Sequence, residues 1–268
     1  MRQVEEFTVS PIEQELSFRA WCGEKDIRMI LLDGDETQWQ TEWIYRKQMG
    51  ICYDLLAETG IMSREEWKKK VVVINNELFE THGVNPEKCN IIVERLADNY
   101  PIDKNIQNKA KNILAEIYHI PPKFIDGTEE GLKFLKKSGI PMGIVTHAGV
   151  EWTWRKYNWL QLQRFYSWDD IYTVDENGHK TIDSWRKAMR YFGTEPKYCL
   201  VGGDSPRTDI NPVCELGVEH CFLVENPSEI WSIHQQPMDE IKTRKIKSIN
   251  DLRWLGKELV YGITSSQN

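Results

Sequence analysis

The stretch MILLDGDETQW, residues 29–39, runs four apolar residues directly into two aspartates, Asp33 and Asp35. Arg28 to Leu32 has the length and composition of a short buried strand, and Asp33-Gly34 bounds it. Two like charges at the end of such a strand repel one another and raise each other's pKa unless a cation offsets them. The stretch therefore predicts a strand that carries acidic side chains at its carboxyl end.

Length and charge restrict the class of protein. A chain of 268 residues can bury a substantial core and form one large domain or two unequal ones. The formal net charge of −7 argues against binding nucleic acid or anionic membranes through the overall field. No apolar run approaches the ~20 residues of a membrane span, and the N-terminus lacks the apolar core of a signal peptide. We therefore expect a cytoplasmic protein with no nucleic-acid or membrane partner.

The six cysteines are scattered without a C-x-x-C pair or a neighbouring histidine cluster. This spacing predicts reduced, mostly buried thiols and argues against a zinc site.

Residues 38–121 are predicted to form an α-helical insert, because they carry helical spacing and almost no strand signal. Ser63 and Glu66 form a capping box, and Asp103 is a predicted N-cap for a later helix. Asn85-Pro86 is expected to open a further helix. The run Val71 to Ile74 would also suit a strand. Residues 1–26 are interpreted as a polar lead-in.

Strand and helix signals alternate after the insert, which indicates crossover units and a parallel sheet. The chain is therefore predicted to be α/β, with a core around a parallel sheet and an α-helical insert after the first strand. The core would comprise residues 1–37 and 122–268, and the insert residues 38–121. The predicted segments are helices over 128–138 and 180–192, and strands over 142–145, 168–174, 198–201 and 219–224.

Polar residues follow the predicted strands, at the edge of an open parallel sheet where ligands bind. Asp33 and Asp35 follow the first strand, and Thr146-His147 follow the strand over 142–145. Gly202-Gly203-Asp204-Ser205-Pro206-Arg207-Thr208-Asp209 follows the strand over 198–201, and Lys180 lies near a helix start. These residues are the candidate site.

From Arg28 to about Leu255 the sequence resembles the haloacid dehalogenase-like hydrolase superfamily. The family pattern D-x-D-x-T matches Asp33 to Thr37, and the strand-ending hydroxyl matches Thr146. The isolated lysine matches Lys180, although Thr181 follows it where the family commonly has proline. The acidic G-D-S-x-x-x-D matches Gly203 to Asp209. The four elements in order resemble the phosphatase branch with a helical cap. This resemblance implies a Rossmann-like three-layer core, with residues 38–121 as an α-helical cap inserted after the first strand.

The resemblance implies a phosphomonoesterase in which Asp33 attacks phosphorus and forms an aspartyl-phosphate, while Asp35 acts as general acid and then general base. It also implies Mg²⁺, held by the Asp33 carboxylate, the Asp35 backbone carbonyl and Asp204. Asp209 would not bind the ion directly but would orient Lys180 or a metal-bound water. The residues implied for phosphate or substrate are Thr146, His147, Lys180 and Trp39.

Several alternatives stay open at this point. Asp204 and Asp209 could cap the following turn and helix, and Trp39 could pack between cap helices rather than face the substrate. A 2-haloacid dehalogenase, a phosphomutase or a non-catalytic phosphate-binding relative would share the fold. Asp35 weighs against the dehalogenase, because a departing halide needs no proton. The expected partner is a small phosphorylated metabolite, and both a monomer and a homodimer are compatible with the sequence.

Overall fold

A computed structural model of the chain describes residues 10–82, 86–174, 180–225, 237 and 239–256. Within these residues, six parallel strands form the central sheet in the order β5-β4-β1-β6-β7-β8, and β2 pairs separately with β3. The strands are β1 (Met29–Leu32), β2 (Trp39–Gln40), β3 (Lys123–Phe124), β4 (Met142–Thr146), β5 (Ile171–Thr173), β6 (Cys199–Gly203), β7 (His220–Val224) and β8 (Thr243–Ile246).

Helices pack on both faces of this sheet and also form the segment between β2 and β3. They are α1 (Pro11–Glu24), α2 (Glu42–Ala57), α3 (Arg64–His82), α4 (Glu87–Asn99), α5 (Lys104–Ala115), α6 (Thr128–Ser138), α7 (Val150–Trp159), α8 (Ile182–Tyr191) and α9 (Asn211–Glu215). In the described part of the chain, no helix combines the length and apolarity needed to cross a bilayer.

The central strand β1 is buried on both faces, which explains its uninterrupted apolar sequence. Ile30 and Leu32 belong to one hydrophobic cluster, which contains side chains of α1 and α6. Met29 and Leu31 belong to a second cluster, which contains side chains of α8 and α9. Successive strand residues point to opposite faces, so this division defines three layers, and the predicted Rossmann-like α/β class is confirmed.

Helices α2–α5 form a third hydrophobic cluster, which includes Trp67, Ile92 and Leu114. Trp152 of α7 also belongs to this cluster, so the helical segment rests on the sheet-containing part of the molecule beside α7. The division into a core of residues 1–37 and 122–268 and a cap of residues 38–121 stays a prediction.

Local capping signals locate the helix starts well. Ser63 and Glu66 bond reciprocally before α3, and the Asp103 side chain accepts from the Asn105 amide at the start of α5. The run of residues 71–74, which also suited a strand, is helical in α3. Asn85 lies outside the described residues.

The interpretation of residues 1–26 as a polar lead-in is wrong for the described part of that segment. Residues 11–24 form α1, which Ser10 and Glu13 cap, and its side chains Phe18 and Trp21 are buried. Polar residues interrupt its apolar face, so the helical period is weak. Residues 168–170 form a 3₁₀ turn before β5 rather than strand, and β8 was not predicted.

Candidate active site

Three carboxylates converge at the carboxyl edge of β1 and β6. These strands are adjacent, with Leu32 opposite Gly202, and the Asp33 amide donates to the Gly202 carbonyl at 2.8 Å. One oxygen from each of Asp33, Asp204 and Asp209 lies within 4.8 Å of the other two. Residues about 170 positions apart therefore meet because parallel strands present their ends at one edge.

Lys180 lies within this acidic cluster and is only 3% exposed. Its Nζ donates to Asp33 Oδ1, to Asp209 Oδ1 at 2.6 Å and to the Val145 carbonyl at 3.1 Å. Burial opposes the charge on Lys180, but the carboxylates of Asp209 and Asp33 outweigh it and raise its pKa. The lysine thus links the ends of β1 and β4 to the loop after β6.

The negative charge of the cluster exceeds what Lys180 can balance. Burial raises the pKa of Asp33, and the neighbouring Asp209 adds to that effect while Lys180 opposes it. Burial, followed by the charges of Asp209 and Asp33, raises the pKa of Asp204 well above its usual range. A largely buried set of hard carboxylate oxygens with excess negative charge matches the donor set of a divalent cation such as Mg²⁺.

The loop after β6 is shaped around Asp209. Asp209 Oδ2 accepts from the Ser205 amide at 3.1 Å, and Ser205 Oγ accepts from the Thr208 amide at 3.3 Å. A Cβ built on Gly203 would lie 2.3 Å from the Asp209 Cβ, so only glycine fits there. Asp209 therefore faces the cluster, and Ser205 rather than Asp209 caps the following turn.

Thr37 connects the two acidic loops. Its Oγ1 lies 3.2 Å from Asp33 Oδ2 and 3.3 Å from Asp204 Oδ1. A hydroxyl has one proton, so it donates to one of these carboxylates at a time.

Asp35 has partners of its own, separate from the Lys180 cluster. Lys156 Nζ donates to Asp35 Oδ1 at 2.7 Å and to Oδ2 at 2.6 Å, and Trp39 Nε1 donates to Oδ1 at 2.6 Å. The Asp35 side chain is 27% exposed, whereas that of Lys156 is fully buried. Buried donors thus hold the Asp35 carboxylate, and part of this carboxylate stays accessible to solvent.

The predicted phosphate-side residues lie at the end of β4. Thr146 is buried, and a Cβ built on Gly34 would lie 3.4 Å from its Oγ1, so the hydroxyl lies beside the loop of Asp33. His147 follows directly and is half-buried. The structure brings Asp33, Lys180 and Thr146 together at this edge.

The interpretation of Trp39 as packing between cap helices is wrong. Trp39 lies in β2, opposite Phe124 of β3, and it is fully buried in the cluster that contains Ile30 and Leu132. Its indole nitrogen bonds to Asp35, so in this structure it supports that residue.

Three polar residues of the site were not anticipated from the sequence. Lys156 holds Asp35, and Gln38 Nε2 donates to the Asp33 carbonyl at 2.9 Å. Glu36 Oε1 accepts from the amides of Thr41 and Glu42 at 2.6 and 2.7 Å. Glu36 occupies a variable position of D-x-D-x-T. The only local signal for Lys156 was its place on the apolar face of α7, four residues from Trp152.

Fold and site together define an α/β protein with its acidic residues at the carboxyl edge of a parallel sheet. The chain belongs to the haloacid dehalogenase-like hydrolase family, whose model matches residues 45–222. The matched segment includes Thr146, Lys180, Asp204 and Asp209 and begins after the Asp33 loop. No curated protein matches the chain.

Solved structures share the fold at low sequence identity. A haloacid dehalogenase-like hydrolase from Xanthomonas campestris has a TM-score of 0.70 at 16% identity, over 85% of this chain and 90% of that one. A HAD phosphatase from Thermococcus onnurineus has a TM-score of 0.60 at 17% identity, over 88% and 99% of the two chains. A 2-haloacid dehalogenase from Pseudomonas syringae pv. Tomato DC3000 has a TM-score of 0.59 at 16% identity, over 85% and 97%. These similarities support the fold, and the reaction has to be inferred from the residues of the site.

Proposed function

We propose that the protein is a Mg²⁺-dependent phosphomonoesterase that acts on a small phosphorylated metabolite. The observation that carries this proposal is the convergence of Asp33 with Lys180 and Asp204, together with an accessible carboxylate at Asp35. A phosphate ester needs an in-line nucleophile, balanced charge on its equatorial oxygens and a proton for the leaving group. These groups can supply all three.

The donor set suits a magnesium ion held by the Asp33 carboxylate, the Asp35 backbone carbonyl and Asp204. When bound, the ion would neutralise the carboxylates and the charge on the phosphoryl group. Asp209 bonds to Lys180 and would keep its ammonium beside Asp33. Asp209 would thus position Lys180 without contacting the phosphoryl group itself.

In the proposed mechanism, an Asp33 carboxylate oxygen attacks phosphorus and the bond to the leaving oxygen breaks. That oxygen takes a proton from Asp35, and the phosphoryl group stays on Asp33 as an aspartyl-phosphate. A water then attacks this intermediate, gives its proton to Asp35 and releases phosphate. Lys180, the Thr146 hydroxyl and the amide of His147 would hold the phosphoryl oxygens.

The related reactions of the family make different demands. Displacement of a halide from carbon needs no acid at Asp35, and the partly exposed carboxylate of this residue, held by two donors, favours release of an oxygen leaving group. A phosphomutase would need a second phosphorylated sugar for turnover. The start of α2 contacts the acidic loop through Glu36, so the helical segment begins next to the site, which favours a small substrate over a protein.

The test is hydrolysis of 4-nitrophenyl phosphate with Mg²⁺ by the wild type, Asp33→Asn and Asp98→Asn. Asp98 is an exposed aspartate of α4 and serves as the matched control. We expect Asp33→Asn to lose at least about 1,000-fold in kcat, Asp98→Asn to retain activity, and EDTA to abolish wild-type turnover.

Circular dichroism would show that Asp33→Asn keeps its fold. Undiminished turnover in Asp33→Asn would refute the assignment. Metal-independent release of chloride from 2-chloropropionate would replace it with a dehalogenase.

A further inference from the structure

We propose that Lys156 is a positioning residue for Asp35, and that with Trp39 it fixes the Asp35 carboxylate in the orientation needed to protonate the leaving group. This inference rests on the proposed phosphomonoesterase function. Lys156 lies on α7, outside the four motifs that carry the family resemblance.

Lys156 contacts Asp35 from the buried side of the pair, and Asp35 is the member that reaches solvent. Its Nζ lies within 2.7 Å of both Asp35 oxygens, and the lysine side chain is fully buried while that of Asp35 is 27% exposed. A substrate can therefore contact Asp35 from the open side. Lys156 would act on the reaction only through that carboxylate.

The burial of Lys156 has a free-energy cost that packing alone does not explain. It lies between Trp152 of α7 and Leu160, the residue directly after the helix, and both of these are buried and apolar. A leucine or methionine at this position would fill the same space without desolvating an ammonium. Asp35 and the faces of Trp152 and Trp39, whose ring centroids lie 4.8 and 5.7 Å from Nζ, offset only part of this cost.

The two donors restrict how the Asp35 carboxylate can be used. Oδ1 accepts from both Lys156 and Trp39, while Oδ2 accepts from Lys156. A carboxylate has about four acceptor sites, so Oδ2 keeps the greater free capacity. We assign Oδ2 as the oxygen that exchanges the proton with the leaving group. Donors bound to both oxygens oppose rotation of the carboxylate.

This role predicts a dependence on the leaving group. A departing alkoxide must be protonated as it leaves, so an alkyl phosphate depends on Asp35 far more than an aryl phosphate, whose phenolate leaves readily. Loss of Lys156 should therefore copy the selective defect of Asp35→Asn. A lysine that only stabilises the fold would not distinguish the two substrates.

The experiment compares kcat and KM for glycerol 2-phosphate and 4-nitrophenyl phosphate in Lys156→Met, Asp35→Asn and the double variant, with Mg²⁺ present. We expect Lys156→Met to lose about 100-fold in kcat on the alkyl phosphate and less than about 5-fold on the aryl phosphate, with KM within about twofold. The double variant should be no slower than Asp35→Asn, because both changes remove the same function.

Two further variants complete the design. Lys133→Met removes a lysine whose Nζ pairs with Glu129 at 2.8 Å on the outer side of α6, and it should leave both activities unchanged. Trp39→Phe keeps a ring and removes the Nε1 donor, so it should show the same selective loss to a smaller degree. It tests the proposal independently if Lys156→Met does not fold.

Equal losses on both substrates in Lys156→Met or Trp39→Phe, or additive losses in the double variant, would overturn the inference. Lys156→Met activity equal to that of Lys133→Met would do the same, while Asp33-dependent hydrolysis would leave the proposed function intact. Wild-type failure on both phosphates, or full activity in Asp33→Asn, would instead refute the proposed function itself.

Discussion

Gly202 and Gly203, the last two residues of β6, differ in what a side chain at each position would contact. A Cβ on Gly203 would lie 2.3 Å from the Asp209 Cβ and 2.5 Å from its Cγ and Oδ2. A Cβ on Gly202 would meet the Leu32 Cδ2 at 3.0 Å, which is the far end of a flexible side chain. Successive strand residues face opposite sides, so only Gly203 adjoins the acidic cluster.

We therefore expect Gly203→Ala to displace Asp209, weaken its hold on Lys180 and lower kcat by at least about 10-fold. The overpacking should also reduce the free energy of unfolding by about 1–3 kcal/mol. Phosphatase kinetics and urea unfolding measure the two effects. Gly202→Ala is the matched control and should retain most of the activity. Equal kinetics in the two variants would show that the Asp209 contact is dispensable.

At this scale the sequence was informative where a residue belongs to a motif and uninformative where its role depends on a distant partner. Asp33 and Asp204 could be selected as candidates from their positions after apolar strands. Lys156 could be recognised as a lysine on an apolar helix face, but its partner Asp35 lies 121 positions away. No local pattern connects such a pair.

At the scale of elements, Glu36 connects the loop of the acidic motif to the first helix of the insert. It adopts a φ of 58°, in the left-handed region, and its Oε1 accepts from Thr41 N, Thr41 Oγ1 and Glu42 N at 2.6–2.9 Å. The orphan amides at the start of α2 thus receive a charged acceptor from outside the helix.

We expect Glu36→Ala to reduce the free energy of unfolding by about 1–3 kcal/mol, because buried amides lose their acceptor. Glu36→Gln retains a carbonyl oxygen and should lose less. Urea unfolding measures the differences, and hydrogen exchange at the Thr41 and Glu42 amides should accelerate in Glu36→Ala. Glu58→Ala alters an exposed residue at the other end of α2 and should change stability by less than about 0.5 kcal/mol. A Glu36→Ala variant as stable as Glu58→Ala would contradict this role.

Elements with local signals were predictable and those without them were not. The Ser63–Glu66 capping box and Asp103 marked α3 and α5, and the predicted helix over 128–138 is α6. The helix α1 gave only a weak period, and the burial of Phe18 and Trp21 depends on partners elsewhere in the chain. The successful predictions thus all rest on interactions between residues that are close together in the sequence.

At the scale of the whole molecule, the acidic cluster couples stability to pH. The pKa of Asp33 is raised from 3.8 to about 7, chiefly by burial. Between these two pH values the native metal-free protein binds more protons than the unfolded chain. The contribution of Asp33 to the free energy of unfolding therefore falls as pH rises. It is fully present below pH 3.8 and is lost as pH rises through about 7.

We therefore expect the unfolding free energy of the wild type, relative to Asp33→Asn, to decrease between pH 4 and pH 7 in EDTA. Urea unfolding of both proteins across this range measures the difference and cancels the titration of surface groups. Saturating Mg²⁺ should abolish the decrease, because a bound cation favours the ionised carboxylates. If the difference in unfolding free energy between the two proteins does not change with pH in EDTA, the pKa of Asp33 is not raised in the native protein.

The sequence by itself determined the α/β class, the strand after which each acidic residue falls and the candidate set of Asp33, Asp35, Thr146, Lys180, Asp204 and Asp209. Apolar runs, caps and turn residues act over a few positions, so they are readable along the chain. Only the tertiary structure decided which of these residues touch, that Trp39 and Lys156 hold Asp35, and that Glu36 caps α2. These contacts depend on which strand ends and helix faces are brought together when the sheet assembles, and that information is distributed over the whole chain rather than carried by any one segment.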